Sequence, residues 1–122
     1  MPKTILLVDD SATSRMKSRA LFGDRKDYQL ISACDGREGV EKALAHKPDL
    51  ILMDVEMPRM TGIEACRELR QNSITKDTPI ILLTMRGEEA AVKTGLESGC
   101  TEYMLKPVNE EKLLTVLMKY LK

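Results

Sequence analysis

Unbroken apolar runs alternate along the chain with stretches in which apolar residues recur about once per helical turn. The runs are TILLV (4–8), LILM (50–53), PIILL (79–83) and the shorter YML (103–105), while YQLISA (28–33) alternates in part. Strands apolar on both faces are buried on both, which predicts a parallel sheet covered by helices. Between the runs, Ala12, Met16 and Ala20 recur a turn apart. Val40, Ala43 and Leu44 form a stripe, Ile63, Cys66 and Leu69 another, and Leu113, Val116, Leu117, Tyr120 and Leu121 the clearest. EEAAVKTGLESG (88–99) is the weakest predicted helix, because Thr94 and Gly95 interrupt it. Gly23, HKPD (46–49) and Gly99 punctuate the ends of the first, second and fourth helices. Five βα units in sequence predict a doubly wound α/β fold, with five parallel strands and five helices joined by right-handed crossovers. At 122 residues, with no linker or low-complexity tract, the expectation is one domain over 1–122 without an output domain, its last helix running to Lys122.

Composition narrows the function more than the fold. With 43% hydrophobic and 31% charged residues the chain is not disordered, and no apolar run approaches membrane-spanning length. The opening MPKTILLVDD is too short an apolar stretch for a secretory signal, so a cytoplasmic protein without membrane insertion is expected. Nineteen basic residues balance nineteen acidic ones, with no basic cluster among aromatics, which argues against direct nucleic-acid binding. Cys34, Cys66 and Cys100 lack CxxC spacing and read as reduced small hydrophobes. The single histidine, His46, excludes Cys/His metal clusters and reads as a solvated residue at a helix end.

In open parallel sheets the ligand site lies at the carboxyl ends of the strands. Asp9 and Asp10 follow the first strand and Asp54 the third; the fourth ends in Thr84, and Lys106 and Pro107 follow the fifth. The second ends in Ala33 and Cys34, with nothing comparable, which suits an edge position beside a central first strand. Carboxylates sharing a pocket repel unless a cation sits among them, and an all-oxygen donor set favours Mg2+ over zinc. Lys106 adds a fixed positive charge and Thr84 a hydroxyl, an inventory that suits a phosphoryl group carried on a carboxylate. Asp54 is the candidate nucleophile, because the turn VEMPRMTG (55–62) can leave it exposed at the pocket floor. Each residue alone has a plainer reading: Asp10 or Ser11 as a helix cap, Asp54 bonding loop amides, Thr84 as a β-branched strand residue, Lys106 as solvated surface. Those readings do not account for all four residue types at the ends of the right strands. The Lys106–Pro107 bond is expected to be cis, aiming Lys106 back over the strand ends.

LLVDDS, LILMDVEMPRMTGIE, PIILLT and YMLKP occur in the order and spacing of the two-component response regulator receiver domains, and the chain resembles that family over essentially its whole length, in the stand-alone format of the chemotaxis type. The resemblance implies a flavodoxin-like sheet of order 2-1-3-4-5, which the strand-end argument also favours. It implies that Asp54 accepts the phosphoryl group from a sensor histidine kinase or a histidine phosphotransfer protein. Asp10 would then hold Mg2+ directly, Asp9 largely through water, and Glu56 through its backbone carbonyl, while Thr84 and Lys106 bind the phosphoryl group. Tyr103 falls at the aromatic switch position that moves inward with the threonine. The expected output is altered binding of a downstream protein at the face formed by helix four, strand five and helix five, by a monomer or a phosphorylation-dependent dimer. Such a protein is no enzyme beyond its own phosphorylation and dephosphorylation.

Glu56, Arg86 and the bulky Met85 depart from the chemotaxis type, which carries Asn and Glu at the first two positions and usually a small residue at the third. All three are expected to modulate access to the phosphoryl group, Glu56 and Arg86 by pairing above the pocket mouth, with two independently solvated side chains as the plainer alternative. A phosphatase of the haloacid dehalogenase type also uses an aspartyl nucleophile with magnesium. It places a second aspartate two residues on, near the first strand of its domain, where this chain has Glu56 after the third. An FMN carrier of similar topology needs a phosphate-cradling loop where Asp9 and Asp10 would repel phosphate. A docking module that is never phosphorylated would not require the full reactive set.

Overall fold

The computed structural model describes residues 2–23 and 25–121. Ten elements alternate: β1 (Lys3–Val8), α1 (Ala12–Phe22), β2 (Tyr28–Ala33), α2 (Gly36–His46), β3 (Leu50–Asp54), α3 (Gly62–Arg70), β4 (Ile80–Thr84), α4 (Glu89–Glu97), β5 (Glu102–Leu105) and α5 (Glu110–Tyr120). Every strand pairing is parallel and the order is β2-β1-β3-β4-β5, the doubly wound sheet expected. Successive residues of a strand point to opposite faces, so the three inner strands feed two cores. Leu6, Val8, Ile51, Met53, Ile80 and Leu82 pack with residues of α2 and α3. Ile5, Leu7, Leu50, Leu52, Ile81 and Leu83 pack on the other face with Phe22, Leu113, Val116 and Leu117. Each such side chain contributes about 1.5–3 kcal/mol on burial.

Local chemistry starts the helices. Ser11, Asp35, Thr61 and Asn109 cap α1, α2, α3 and α5 through their side chains, and Thr61 and Glu64 complete a capping box. Ser11, not Asp10, is therefore the first cap, which leaves the Asp10 carboxylate free of that duty. α4 starts at Glu88 with no side-chain cap, in keeping with its weak sequence signal. His46 is exposed in the last turn of α2, and the Lys106–Pro107 bond is cis. No helix among the described residues is long and apolar enough to cross a membrane.

Four expectations are corrected. The stripe that announced α1 faces solvent: Ala12 and Ala20 are exposed and Met16 is 70% exposed. Phe22, packed edge-to-face on Tyr28 with ring centroids 5.6 Å apart, anchors the helix, and its polar side turns inward: Arg15 donates to the Asp9 carbonyl (2.6 Å) and Arg19 to Ser32 Oγ (2.8 Å). β5 is apolar on both faces yet covered on one: Met104 is buried, while Tyr103 is 46% and Leu105 40% exposed, because this is an edge strand and the groove between it and α4 stays open. Cys34 is exposed, unlike the buried Cys66 and Cys100; all three are free thiols. Finally, α5 ends at Tyr120, and Lys122 lies outside the described residues.

Candidate functional site

Strand register assembles the site. Val8 pairs with Met53, which sets Asp9 beside Asp54; Asp54 pairs with Leu83, which sets Thr84 one residue beyond it; Thr84 pairs with Leu105, which delivers Lys106. Asp9, Asp10, Asp54, Thr84 and Lys106 thus share one edge, and β2, at the sheet margin, adds none of the set. Asp54 is the last residue of β3 and only 8% exposed, so it is more enclosed than the sequence suggested. The loop after it folds back tightly: the Gly62 N–H donates to the Val55 carbonyl (2.8 Å), and a Cβ on Gly62 would stand 2.1 Å from the Asp54 carbonyl oxygen.

Lys106 joins the two buried acids, its Nζ lying 2.6 Å from Asp54 Oδ1 and 3.2 Å from Asp9 Oδ2. Asp9 is fully buried and well supplied with donors: the Ser11 N–H reaches Oδ1 at 2.9 Å and Ser14 Oγ reaches Oδ2 at 2.5 Å. Burial pushes the Asp9 carboxyl upward, but Ser14, Ser11 and Lys106 outweigh it and hold the group below its ordinary value. Asp54 lacks such support. Burial pushes it up to about 7, the Asp9 charge adds to the rise, and Lys106 opposes it. Burial alone would lower the Lys106 ammonium, yet Asp54 and Asp9 together keep it above its ordinary value.

Carboxylate oxygens of Asp9, Asp10 and Asp54 lie within 4.8 Å of one another, with Asp10 exposed at the mouth. The Glu56 carbonyl accepts no hydrogen bond among the described residues. An all-oxygen, acidic set around a partly open pocket fits a hard divalent ion that keeps several waters. Thr84 Oγ1 is buried and, alone among buried side-chain N and O atoms of the described residues, has no partner. A buried hydroxyl left unpaired costs about 1–3 kcal/mol. Thr84 stands at the end of β4, beside the end of β3 that carries Asp54, so this hydroxyl is a spare donor at the same strand edge.

The switch and access residues sit around this centre. Tyr103 stands outward, and it shares with Thr84, Met85, Val92, Leu96 and Leu105 a groove of about 320 Å³ between α4 and β5. Glu56, Met85 and Arg86 are exposed at the mouth. The expected Glu56–Arg86 pair is not formed; the β3–α3 loop is tied instead by Arg59, whose guanidinium lies 3.3 Å from Asp35. Sequence reasoning missed Ser14 and Arg15, both turned onto Asp9. Their signal was a helix starting three residues after an aspartate, which returns its first turn to that residue.

The family model for the response regulator receiver domain matches residues 5–118. The chain belongs to this family. The receiver domain is similar to protein PilH of Pseudomonas aeruginosa, 37% identical over 93% of both chains. Its fold matches that of the Vibrio cholerae chemotaxis protein CheY4, with a TM-score of 0.89 at 36% identity over 99% of this chain and 100% of the other. It also matches the receiver domain of the sensor histidine kinase PA1611 from Pseudomonas aeruginosa, determined with magnesium coordinated in the active-site cleft (TM-score 0.89, 28% identity, 98% of both chains). Longer regulators match as well, and the chain spans 46% of the transcriptional regulatory protein PhoP of Bacillus subtilis. Receiver domains serve two-component signalling, are phosphorylated on an aspartate, and imply a histidine kinase or phosphotransfer protein as donor.

Proposed function

We propose that this receiver domain is a phosphorylation-activated switch in which Asp54 accepts a phosphoryl group from a phosphohistidine of a sensor kinase or histidine phosphotransfer protein. The observation that carries the reading is the trio at one strand edge: a buried carboxylate, an ammonium 2.6 Å from it, and a buried hydroxyl with no partner. An Asp54 carboxylate oxygen forms a bond to phosphorus as the P–N bond to the donor imidazole breaks, and the electron pair leaves with the imidazole. Asp9, Asp10 and Asp54, with the Glu56 carbonyl, would hold Mg2+, which when bound neutralises charge on the phosphoryl oxygens. Lys106 neutralises a further oxygen, and Thr84 Oγ1 donates to one and so gains its partner.

Recruiting Thr84 is the link to output. Thr84 and Tyr103 line the same groove, so a Thr84 drawn toward the pocket opens space into which Tyr103 swings from its exposed position. The surface of α4, β5 and α5 then changes, and a downstream protein is bound or released there. α4 suits this role because it lacks a side-chain cap. Glu56, Met85 and Arg86, exposed and unpaired with one another, act singly on the approach of water and hence on phosphate lifetime. The protein acts in the cytoplasm, catalyses only its own phosphorylation and dephosphorylation, and works as a monomer unless the phosphorylated face pairs two copies.

Intact mass after incubation with acetyl phosphate tests the reading. One phosphoryl group is gained with Mg2+ present and none in excess chelator; equal labelling in both, or turnover of a small phosphate ester, overturns it.

A further inference from the structure

We propose that Ser14, in the first turn of α1, is a positioning residue for phosphoryl transfer, its hydroxyl holding the Asp9 carboxylate when Lys106 leaves it. This rests on the reading of Asp54 as acceptor. Asp9 Oδ2 has two donors, Ser14 Oγ at 2.5 Å and Lys106 Nζ at 3.2 Å, while Oδ1 takes the Ser11 N–H. The two donors have different obligations. Lys106 also bonds Asp54 at 2.6 Å, and a phosphoryl group on Asp54 draws the ammonium away from Asp9 toward new anionic oxygens. Asp9 is 0% exposed, so bulk solvent does not replace Lys106 at that oxygen, and a buried carboxylate short of donors is strongly penalised.

Ser14 can stay because the backbone around it is fixed. Its N–H donates to the Ser11 cap (3.2 Å), and the next residue, Arg15, holds the Asp9 carbonyl at 2.6 Å. Its oxygen also lies 3.5 Å from Lys106 Nζ, so the hydroxyl touches both the acid that orients the cation site and the ammonium that must move. Ser18, one turn on, lines the same side of α1 and hydrogen-bonds neither group. Ser14 therefore lowers the barrier to releasing Lys106 without itself meeting the phosphoryl group, which separates it from Thr84.

The test compares Ser14→Ala, Ser14→Thr and Ser18→Ala in the full chain. Three quantities are measured: Mn2+ affinity by calorimetry, the rate of Asp54 labelling by phosphoramidate at saturating Mg2+, and metal-free stability in urea. Ser14→Ala is expected to slow labelling about tenfold, or about 1.4 kcal/mol of barrier, and to weaken Mn2+ binding about threefold. Ser14→Thr restores most of both, and Ser18→Ala matches wild type. Unchanged labelling and Mn2+ affinity in Ser14→Ala overturn the proposal, as does a loss of urea stability alone, or a Ser14→Thr no better than Ser14→Ala. If wild type takes up no phosphoryl group, the reading of Asp54 fails instead. The Mn2+ measurement then still decides Ser14, since unchanged affinity in Ser14→Ala removes its hold on Asp9.

Discussion

The ends of β2 and β3 each lead into a buried aspartate, Asp35 at 4% exposure and Asp54 at 8%, and the two have opposite fates. Asp35 is consumed by its surroundings: Oδ1 accepts the Glu38 N–H at 2.8 Å as the α2 cap, and Oδ2 faces Arg59 at 3.3 Å. Glu38 beside it takes the Cys34 N–H at 2.6 Å and Lys42 at 3.2 Å, and these donors bring its carboxyl down to about 2. Among the described residues Asp54 caps no helix and has Lys106 as its single close donor, which it shares with Asp9. A carboxylate at a strand end is thus available for chemistry when the local backbone does not claim it. That is the physical difference between a cap and the proposed acceptor.

The sharpest way to break the comparison is to delete each acid in turn. Asp54→Ala should abolish phosphoryl uptake from acetyl phosphate by intact mass, whereas Asp35→Ala should label with Mg2+ as wild type does. If Asp35→Ala lost labelling while folded, the division between structural and reactive carboxylates would collapse.

Next in size, the two should differ in sign for stability. The rise of Asp54 from 3.8 to about 7 means that its ionised form opposes folding, so Asp54→Asn should stabilise the metal-free protein at pH 8 by about 1–3 kcal/mol, part of the gain being offset by the loss of the Lys106 pair. Asp35→Ala should destabilise by about 1–2 kcal/mol through loss of the cap. Urea unfolding measures both, and added Mg2+ should stabilise wild type more than Asp54→Asn.

The pH profile sharpens this further. Asp54 has a folded value above its unfolded one, so its favourable contribution is complete below the unfolded value of 3.8 and is lost as pH rises through about 7. Glu38 is depressed from 4.5 to about 2, so its contribution is complete above 4.5 and is lost as pH falls toward 2. Metal-free unfolding should show these opposed limbs, Asp54→Asn flattening the one between about pH 4 and 7 and Glu38→Gln reducing the acid one. The smallest effect lies at the mouth. With no ion pair between them, Glu56→Asn and Arg86→Glu should change the phosphate decay rate independently, the double variant matching the product of the single effects within about twofold.

The sequence by itself determined the parallel sheet, the marginal place of β2 beside a central β1 and the edge at which the candidate residues stand, while the full strand order came from the family resemblance. Runs such as ILLV and LILM can bury both faces only in a parallel sheet between helix layers, and the residue after each run must then stand at the same edge. Asp9, Asp54, Thr84 and Lys106 were legible for that reason. What periodicity could not settle was orientation and satisfaction. Met16 and its stripe promised a buried face for α1, but the Phe22 anchor and the buried Asp9 turned Ser14 and Arg15 inward instead. YML read as doubly covered, yet a strand at the sheet margin leaves Tyr103 and Leu105 to an open groove. Asp35 escaped notice because a cap and a site acid look alike in one dimension, and Thr84 was legible as a hydroxyl but not as one without a partner, because a missing partner has no letter in the sequence. Both depend on which donors stand within about 3 Å, a distance set by packing between elements far apart along the chain.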